Sequence, residues 1–233
     1  MAFIHRTTMT PGKLELLASW LPAQSWHLGS GHEPQLTKVG GFRLDDPKGE
    51  VGIEFMAVTD ESGDEPITYH VPFSYRGAPL DGADHALIGT SEHGVLGRRW
   101  IYDGTHDPVL VAQLLALILG EAEPQAQSVS NAPEPSVTAY FAEAGHAASI
   151  SSMDVTNGPH GTDLRLLTVS VPGVPSEPAR QLTIRVNRVL RPEQAESTTH
   201  AAQALGHVIA DWHLPDGAKT RGLYAVVRDT APE

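Results

Sequence analysis

Two segments in the first half of the chain carry apolar residues at helical spacing. Between Pro11 and Pro22 the apolar positions fall on one side of a helix, so we predict a short helix that ends at Pro22. Residues 109–119 contain one polar side chain and follow Asp107-Pro108, which is typical of a helix start. Because this second helix is apolar on all sides, we expect protein to cover it on all sides.

Alternating apolar and polar residues predict strands between these helices. We predict a strand at residues 35–44, a second strand that begins at Glu50, and a third at residues 69–76. A polar turn rich in Gly and Pro joins the last two, which favours an antiparallel hairpin. Pro72 lacks the N–H group that a ladder uses, so we expect an edge strand or a bulge there.

The second half of the chain is a succession of short strand-like runs. They lie at residues 136–142, 147–155, 163–171, 181–190, 205–214 and 221–228. Residues 121–135 are rich in Pro, Glu, Gln and Ser, the composition of a linker. We therefore predict an α+β fold of mainly antiparallel sheets with few helices, in two packed β-rich units, residues 1–120 and 136–233.

Composition and net charge limit the classes of binding partner and the cellular location that we expect. The chain has 233 residues and no cysteine, which excludes disulfides and thiolate metal sites. Its formal net charge is -12 and neither half is basic, which argues against nucleic acid or an anionic membrane as a partner. The sequence shows no signal-peptide core and no run of about 20 apolar residues, so we expect a cytoplasmic protein.

Familiar catalytic and metal-binding motifs are absent from the sequence. It contains no Gly-x-Ser-x-Gly, His-Glu-x-x-His or Gly-x-x-x-x-Gly-Lys-Ser/Thr motif. His207, Asp211 and His213 share one face of a predicted strand, but about 13 Å separates His207 from Asp211, so only Asp211 and His213 could share an ion. A solvated strand face is the simpler interpretation, and we expect no metal and no cofactor.

Two glutamates on one predicted strand face are candidates for catalytic carboxylates. Glu50 and Glu54 lie about 13 Å apart on an extended strand, beyond the separation that glycoside hydrolysis uses. We expect them to form ion pairs with Arg76, Arg98 or Arg99 instead. No catalytic residue is assigned from the sequence.

Two motifs carry a resemblance to a known family. The first is Trp20-Leu21-Pro22, and the second runs from Ile88-Gly89-Thr90 through Tyr102-Asp103 to Asp107-Pro108. With them, residues 10–120 resemble the amino-terminal cap domain of actinobacterial maltokinases. The resemblance implies a non-catalytic lobe tied to trehalose and α-glucan metabolism. The kinase domain and its His-x-Asp-x-x-x-x-Asn loop have no match here, so we expect a stand-alone cap homologue without phosphoryl transfer.

The segment 90–99 is the strongest candidate for a binding loop. Gly94 and Gly97 lie there between the polar pairs 92–93 and 98–99, in a segment between apolar strands, and loops of this kind often carry function. Nearby aromatic rings suit the C–H faces of a sugar. The candidate binding residues are Glu92, His93, Arg98, Arg99, Trp100, Tyr102, Tyr75 and Arg76. A structural interpretation stays open, in which the glycines permit a tight turn and the arginines pair with carboxylates.

Functions of different classes remain open from the sequence. The leading hypothesis is a non-catalytic, cap-like binding or accessory protein linked to trehalose and α-glucan (maltose, glycogen) metabolism. It would bind a sugar or glucan, and act as a homodimer or with a separately encoded sugar-metabolising enzyme. One alternative is a small-substrate enzyme with its site between the two halves, and another is a decayed kinase fragment with a structural role. If the second unit leaves one side of the apolar helix uncovered, Leu114 and Ile118 would form a dimer interface.

Overall fold

Strands dominate the part of the chain that the computed structural model describes, namely residues 7–29, 31–129, 132–142, 148–159, 161–170, 179–192 and 204–230. The strands are β1 Met9–Thr10, β2 Leu36–Asp45, β3 Gly52–Asp60, β4 Ile67–Arg76, β5 Leu87–His93, β6 Gly97–Asp103, β7 Thr138–Phe141, β8 Ala148–Gly158, β9 Gly161–Ser170, β10 Arg180–Asn187, β11 Gly206–His213 and β12 Lys219–Asp229. The helices are α1 Lys13–Trp20 and α2 Pro108–Ile118, and short 3-10 turns lie at Leu21–Ala23, Asp84–Ala86 and Gly104–His106.

The described strands form one antiparallel sheet in the order β1-β5-β6-β4-β3-β2-β11-β12-β10-β9-β8, with β7 added beside β11. The two halves of the chain meet where Gly40 of β2 pairs with Trp212 of β11. A Cβ atom on Gly40 would lie 2.9 Å from the backbone oxygen of Asp211, so a larger residue would push these strands apart. The halves meet again through a bridge between Tyr69 and Val189, because the sheet curls back on itself.

One large hydrophobic core runs through both halves. It joins Phe42 and Phe55, whose rings stack with centroids 4.6 Å apart, to α2 and to inward residues of β9–β12 such as Ile184 and Tyr224. The segment predicted as a linker contacts β2, since Gln125 and Arg43 exchange two backbone hydrogen bonds of 2.9 Å. The fold is therefore α+β and mostly antiparallel, and it does not show two separate packed units.

Helix α2 is buried by its own chain. Asp107 caps it by accepting a 2.9 Å hydrogen bond from the Val109 amide, and Gly120 follows it with a φ of 77°. Strands β2, β7, β8 and β11 pack around it. Leu114 and Ile118 are 1% and 2% exposed. The interface role predicted for these two residues therefore no longer follows from an uncovered apolar stripe.

Strands β3 and β4 are covered on both faces, which the alternation of their residues does not reveal. On the side away from α2, a second hydrophobic cluster joins Leu17 of α1, Leu21 and Trp26 to the outward residues of β3, β4 and β6. The indole rings of Trp20 and Trp26 lie 5.7 Å apart, centroid to centroid. On the other face of β4, His70 is buried against the main core, with its ring centroid 5.9 Å from that of Phe55 and 4.5 Å from that of Tyr224.

Pro72 lies in the middle of the sheet, so the expected edge strand or bulge is wrong. It stands opposite Phe55 in an unbroken β3–β4 register. The His70 amide donates to the Arg188 carbonyl at 2.8 Å, on the side of β4 away from β3. Alternation along the strand turns the Pro72 nitrogen to that same side, where β6 pairing starts only at Phe73. The missing N–H thus falls in a gap between two partners and costs no ladder hydrogen bond.

In the part of the chain with assigned positions, no helix combines the length and the apolar character needed to cross a membrane.

Candidate functional site

Strands β4, β5 and β6 present one row of candidate binding residues on a single face. The β-sheet register places Trp100 between Arg76 of β4 and Thr90 of β5, and Arg98 opposite Glu92. Directly opposed residues of an antiparallel pair point to the same face, and so do residues two apart along a strand. Arg76, Glu92, Arg98 and Trp100 therefore form one surface, called the hairpin patch below.

The outer end of the hairpin patch is an exposed ion pair. The Arg98 Nε atom donates to Glu92 Oε1 at 2.8 Å, and the two side chains are 62% and 59% exposed. Water screens both charges, so the pair contributes at most about 1 kcal/mol to folding. Either group can therefore leave this ion pair and bind a ligand hydroxyl at a small cost in free energy.

The inner end of the hairpin patch is held rigidly. The Arg76 guanidinium makes two hydrogen bonds to Asp107, of 2.6 and 2.7 Å, and the Asp107 side chain is fully buried. Burial opposes ionisation of Asp107, but its hydrogen bonds, above all with Arg76, outweigh burial and hold the pKa of the carboxyl below its usual value. Since Asp107 also caps α2, the buried helix fixes the position of Arg76.

Trp100 is the aromatic residue of this row that reaches the surface. It is partly buried and packs with Leu80 and Leu87 around a small cluster that contains Tyr102. Tyr102 itself is 1% exposed, and its hydroxyl accepts a 2.9 Å hydrogen bond from the Leu80 amide. Tyr102 thus supports the indole from beneath and offers no surface to a ligand.

The remaining candidates lie on the opposite face or in the turn. The Tyr75 hydroxyl donates to Glu54 at 2.7 Å, on the α1 side of the sheet. His93 Nδ1 accepts hydrogen bonds from the amides of two turn residues, and Arg99 donates to the Leu96 carbonyl at 2.7 Å. Both hold the tight β5–β6 turn, so the structure divides the predicted set instead of gathering it.

Glu54 anchors a buried polar cluster that sequence reasoning assigned to other partners. It is 3% exposed and forms ion pairs with Lys13 and Lys38, and it also accepts a 2.9 Å hydrogen bond from Gln127. Burial opposes its ionisation, but the two lysine charges outweigh burial and lower the pKa of Glu54. The expected pairing of Glu54 with Arg76, Arg98 or Arg99 is wrong, because Glu54 faces α1 and the segment after α2.

A second buried cluster, which the sequence analysis missed, lies where the two halves meet. We call it the buried seam, formed by Arg188, Asp103, Thr105, Thr162 and His70. Arg188 is 0% exposed and donates to Asp103 at 2.6 Å, to Thr105 at 2.9 Å and to Thr162 at 2.8 Å. Its guanidinium also lies 4.9 Å from the centre of the Trp26 ring. The sequence signal for it is weak: Arg188 and Asn187 interrupt an otherwise apolar run at residues 186–190.

His70 is neutral in the buried seam. Its Nδ1 lies 3.0 Å from the Asn187 carbonyl, which only accepts, so Nδ1 carries the proton. Burial, together with the Arg188 charge, lowers the pKa of His70 to about 3. Burial opposes ionisation of Asp103, but Arg188 outweighs it and lowers the pKa of that carboxyl. Arg188 pairs with Asp103 and the two threonines, whereas His70 bonds a backbone carbonyl, and all of them are closed off from solvent. Among the residues that the structure describes, His70 Nε2 and Arg188 Nη1 are buried without a hydrogen-bond partner.

Metal-ligating side chains are dispersed in the structure. Across the described ranges, no group of three or more His, Asp or Glu residues is placed to hold a metal ion. Asp211 forms an ion pair with Lys219 at 2.8 Å, and His213 Nδ1 lies 3.3 Å from the Val39 carbonyl. Asp211 and His213, which the sequence suggested as metal ligands, therefore contact the strands on either side of β11.

Comparison with known families identifies the segment that contains the hairpin patch. Residues 20–107 match the family model of the maltokinase N-terminal cap domain. The match begins at Trp20, the start of the Trp-Leu-Pro motif, and ends at Asp107, so it confirms the resemblance based on these two motifs. It covers less than half of the chain. No curated protein matches the sequence.

Proposed function

We propose that the protein is a non-catalytic accessory of trehalose and α-glucan metabolism that binds a neutral sugar at the hairpin patch. The match of residues 20–107 to the maltokinase N-terminal cap domain supports the link to this metabolism. The patch lies within the matched segment. Its residues offer hydrogen-bonding groups and an aromatic face, without the paired acid and base that catalysis would need.

The observation that carries the proposal is the position of Trp100 between two kinds of polar group. Its packing against the cluster of Ala83, Ala86 and Tyr102 restricts the ring, so stacking of a sugar on it costs little further side-chain freedom. Arg76 stands beside it as a rigid donor, held by Asp107. The exposed Glu92–Arg98 pair supplies an acceptor and a donor for hydroxyl groups.

The sugar proposal is tested by titrating ¹⁵N-labelled protein with maltose, maltotriose and trehalose, and following amide shifts by NMR. We expect saturable shifts centred on residues 76, 90–92 and 98–100, with the longer glucan binding more tightly. Trp100→Ala should weaken binding at least tenfold, because it removes the stacking face, worth about 1–2 kcal/mol or more.

A matched control distinguishes loss of the stacking face at Trp100 from the general effect of removing an exposed aromatic ring. Tyr140→Ala removes a ring that is 52% exposed on β7, outside the patch, and should leave the titration unchanged. Equal losses in both variants, or shifts that do not saturate with any of the three sugars, would rule out the hairpin patch as a sugar site.

A further inference from the structure

A second surface rich in charge lies on the hairpin of β11 and β12, outside the segment that matches the cap domain. The hairpin register places Asp211 opposite Arg221 and His213 opposite Lys219. Trp212, between them on β11, points into the main core and is 1% exposed. The four charged or titratable side chains therefore share the outward face of the hairpin.

The carboxylate in this group lies deeper than the two cations. The Asp211 side chain is 18% exposed, whereas those of Lys219 and Arg221 are 60% and 47% exposed. The Lys219 Nζ atom lies 2.8 Å from one Asp211 oxygen, and the Arg221 Nε atom lies 3.8 Å from the other. Arg221 also donates to the Thr138 hydroxyl at 3.3 Å, which ties it to β7. Asp211 thus pairs with two cations that are more exposed to solvent than it is.

These residues line an open depression on the surface of the hairpin. Its volume is about 400 Å³, and Asp211, Lys219, Thr220 and Arg221 line it. Because the depression is open, it can contact one side of a small ligand and leave the rest in water. The lining contains two cations and one carboxylate, a local excess of positive charge in a chain whose formal net charge is -12. A small anion is therefore drawn to this cavity and repelled by most of the remaining surface.

We infer that this cavity, the β11–β12 pocket, binds a small phosphate ester that carries hydroxyl groups, of the sugar phosphate class. The phosphate oxygens accept charge-assisted hydrogen bonds from Lys219 and Arg221, which donate only. Asp211 accepts only, so it is suited to hydroxyl groups on the rest of the ligand and repels a second phosphate. This combination favours a hydroxylated phosphate ester over inorganic phosphate, because the ester can place its phosphate on the two cations and a separate hydroxyl on Asp211, whereas inorganic phosphate has only its own P–OH groups to donate to the carboxylate.

The test is an NMR titration with glucose 6-phosphate, inorganic phosphate, sulfate and glycine as probes. We expect glucose 6-phosphate to give saturable amide shifts at residues 211 and 219–221, with a millimolar dissociation constant and at least a threefold preference over inorganic phosphate. The Lys219→Ala/Arg221→Ala double variant should bind at least tenfold more weakly. Both side chains are largely exposed, and the far-ultraviolet circular dichroism spectrum checks that the variant folds.

The Asp211→Asn variant tests the role of the carboxylate in ligand preference. Removing the negative charge should tighten binding of inorganic phosphate severalfold and reduce the preference for glucose 6-phosphate. Arg185→Ala is the matched control, since it also removes a partly exposed arginine paired with a carboxylate across neighbouring strands but lies outside both proposed sites, and it should bind both probes as the unmodified protein does.

Three outcomes would overturn the inference. Equal shifts with sulfate and glucose 6-phosphate would mean that any anion collects there, and preferential binding of glycine would assign the pocket to a zwitterion. Equal losses of binding in Arg185→Ala and in the Lys219→Ala/Arg221→Ala variant would mean that the two pocket cations have no specific role. Because the neutral-sugar proposal is followed at residues 76–100 and this one at residues 211–221, either can fail without the other.

Discussion

Two ion pairs of nearly the same length have opposite surroundings in this protein. Glu92 and Arg98 lie 2.8 Å apart and are more than half exposed, whereas Asp103 and Arg188 lie 2.6 Å apart and are almost completely buried. The first pair stands out in the sequence, as charges within a glycine-rich loop. The second, which joins the two halves of the chain, is inconspicuous.

The difference teaches that a charge pair cannot be assigned a role without its surroundings. In water the attraction between Glu92 and Arg98 is screened, so the pair is free to serve a ligand. In the buried seam, Arg188 cannot lose its partner without leaving an uncompensated charge in a low dielectric medium. The exposed pair is therefore suited to binding and the buried pair to specifying the fold.

The largest expected effect comes from breaking the buried pair. Arg188→Met should lower the free energy of unfolding by about 3–5 kcal/mol, because it leaves Asp103 charged and buried. Urea unfolding followed by circular dichroism measures the change. Replacing Asp103 by Asn as well should recover part of the loss, because the buried charge is then gone. A single-variant loss below about 1 kcal/mol would mean that water reaches the buried seam.

The second prediction concerns pH and the same seam. The pKa of His70 is about 3 in the folded protein and near 6.5 when unfolded, so below pH 6.5 the unfolded chain takes up a proton that the native state does not. Stability contributed by neutral His70 is complete above pH 6.5 and falls by roughly 1.4 kcal/mol per pH unit until about pH 3. Between pH 7 and pH 5 the loss from His70 is about 2 kcal/mol.

Urea unfolding at pH 7, 6 and 5 measures this slope. His70→Gln keeps an amide donor for the Asn187 carbonyl and should show a pH slope shallower by nearly one proton. His32→Gln, at an exposed position, should keep the slope of the unmodified protein. An unchanged slope in His70→Gln would show that His70 is not the group that titrates.

The smallest expected effect comes from the exposed pair. Arg98→Ala should change the free energy of unfolding by no more than about 1 kcal/mol, and the change should shrink further in 0.5 M salt. The same urea measurement at low and high salt checks this. If the loss approached that of Arg188→Met, the contrast between the two pairs would be lost, and the hairpin patch would be part of the fold and not a surface free to bind.

Local pattern was sufficient for most elements of the fold. The apolar spacing predicted α1 and α2, alternation predicted β2, β3 and β4, and short strand-like runs predicted β7 to β12, with bounds close to those of β2, β4 and β11. No ranges were predicted for β1, β5 and β6. Two short motifs were sufficient to identify the cap segment. These signals lie in neighbouring residues, whose side-chain directions follow from backbone geometry alone.

Part of the candidate site was also predictable. Arg98 and Glu92 lie on facing strands of one hairpin, so their pairing follows from local sequence. The division of the predicted binding residues between the two faces of the sheet does not follow from local sequence. Tyr75 faces Glu54 and Tyr102 lies beneath the surface, because the sheet is covered on both sides by elements distant in sequence.

The sequence by itself determined most of the elements, the β3–β4 hairpin and the cap resemblance, because each depends on periodicity or on a short motif. Only the tertiary structure decided which polar residues are buried and with what partner. Arg188 meets Asp103 across 85 residues, and Gln127 meets Glu54 across 73. Such pairings depend on how the curled sheet brings together strands that are distant in sequence. The spacing of residues within one strand does not indicate which distant strand it will meet. The same closure covers Leu114 and Ile118 within one chain, although the helix pattern alone left open whether a second chain was needed.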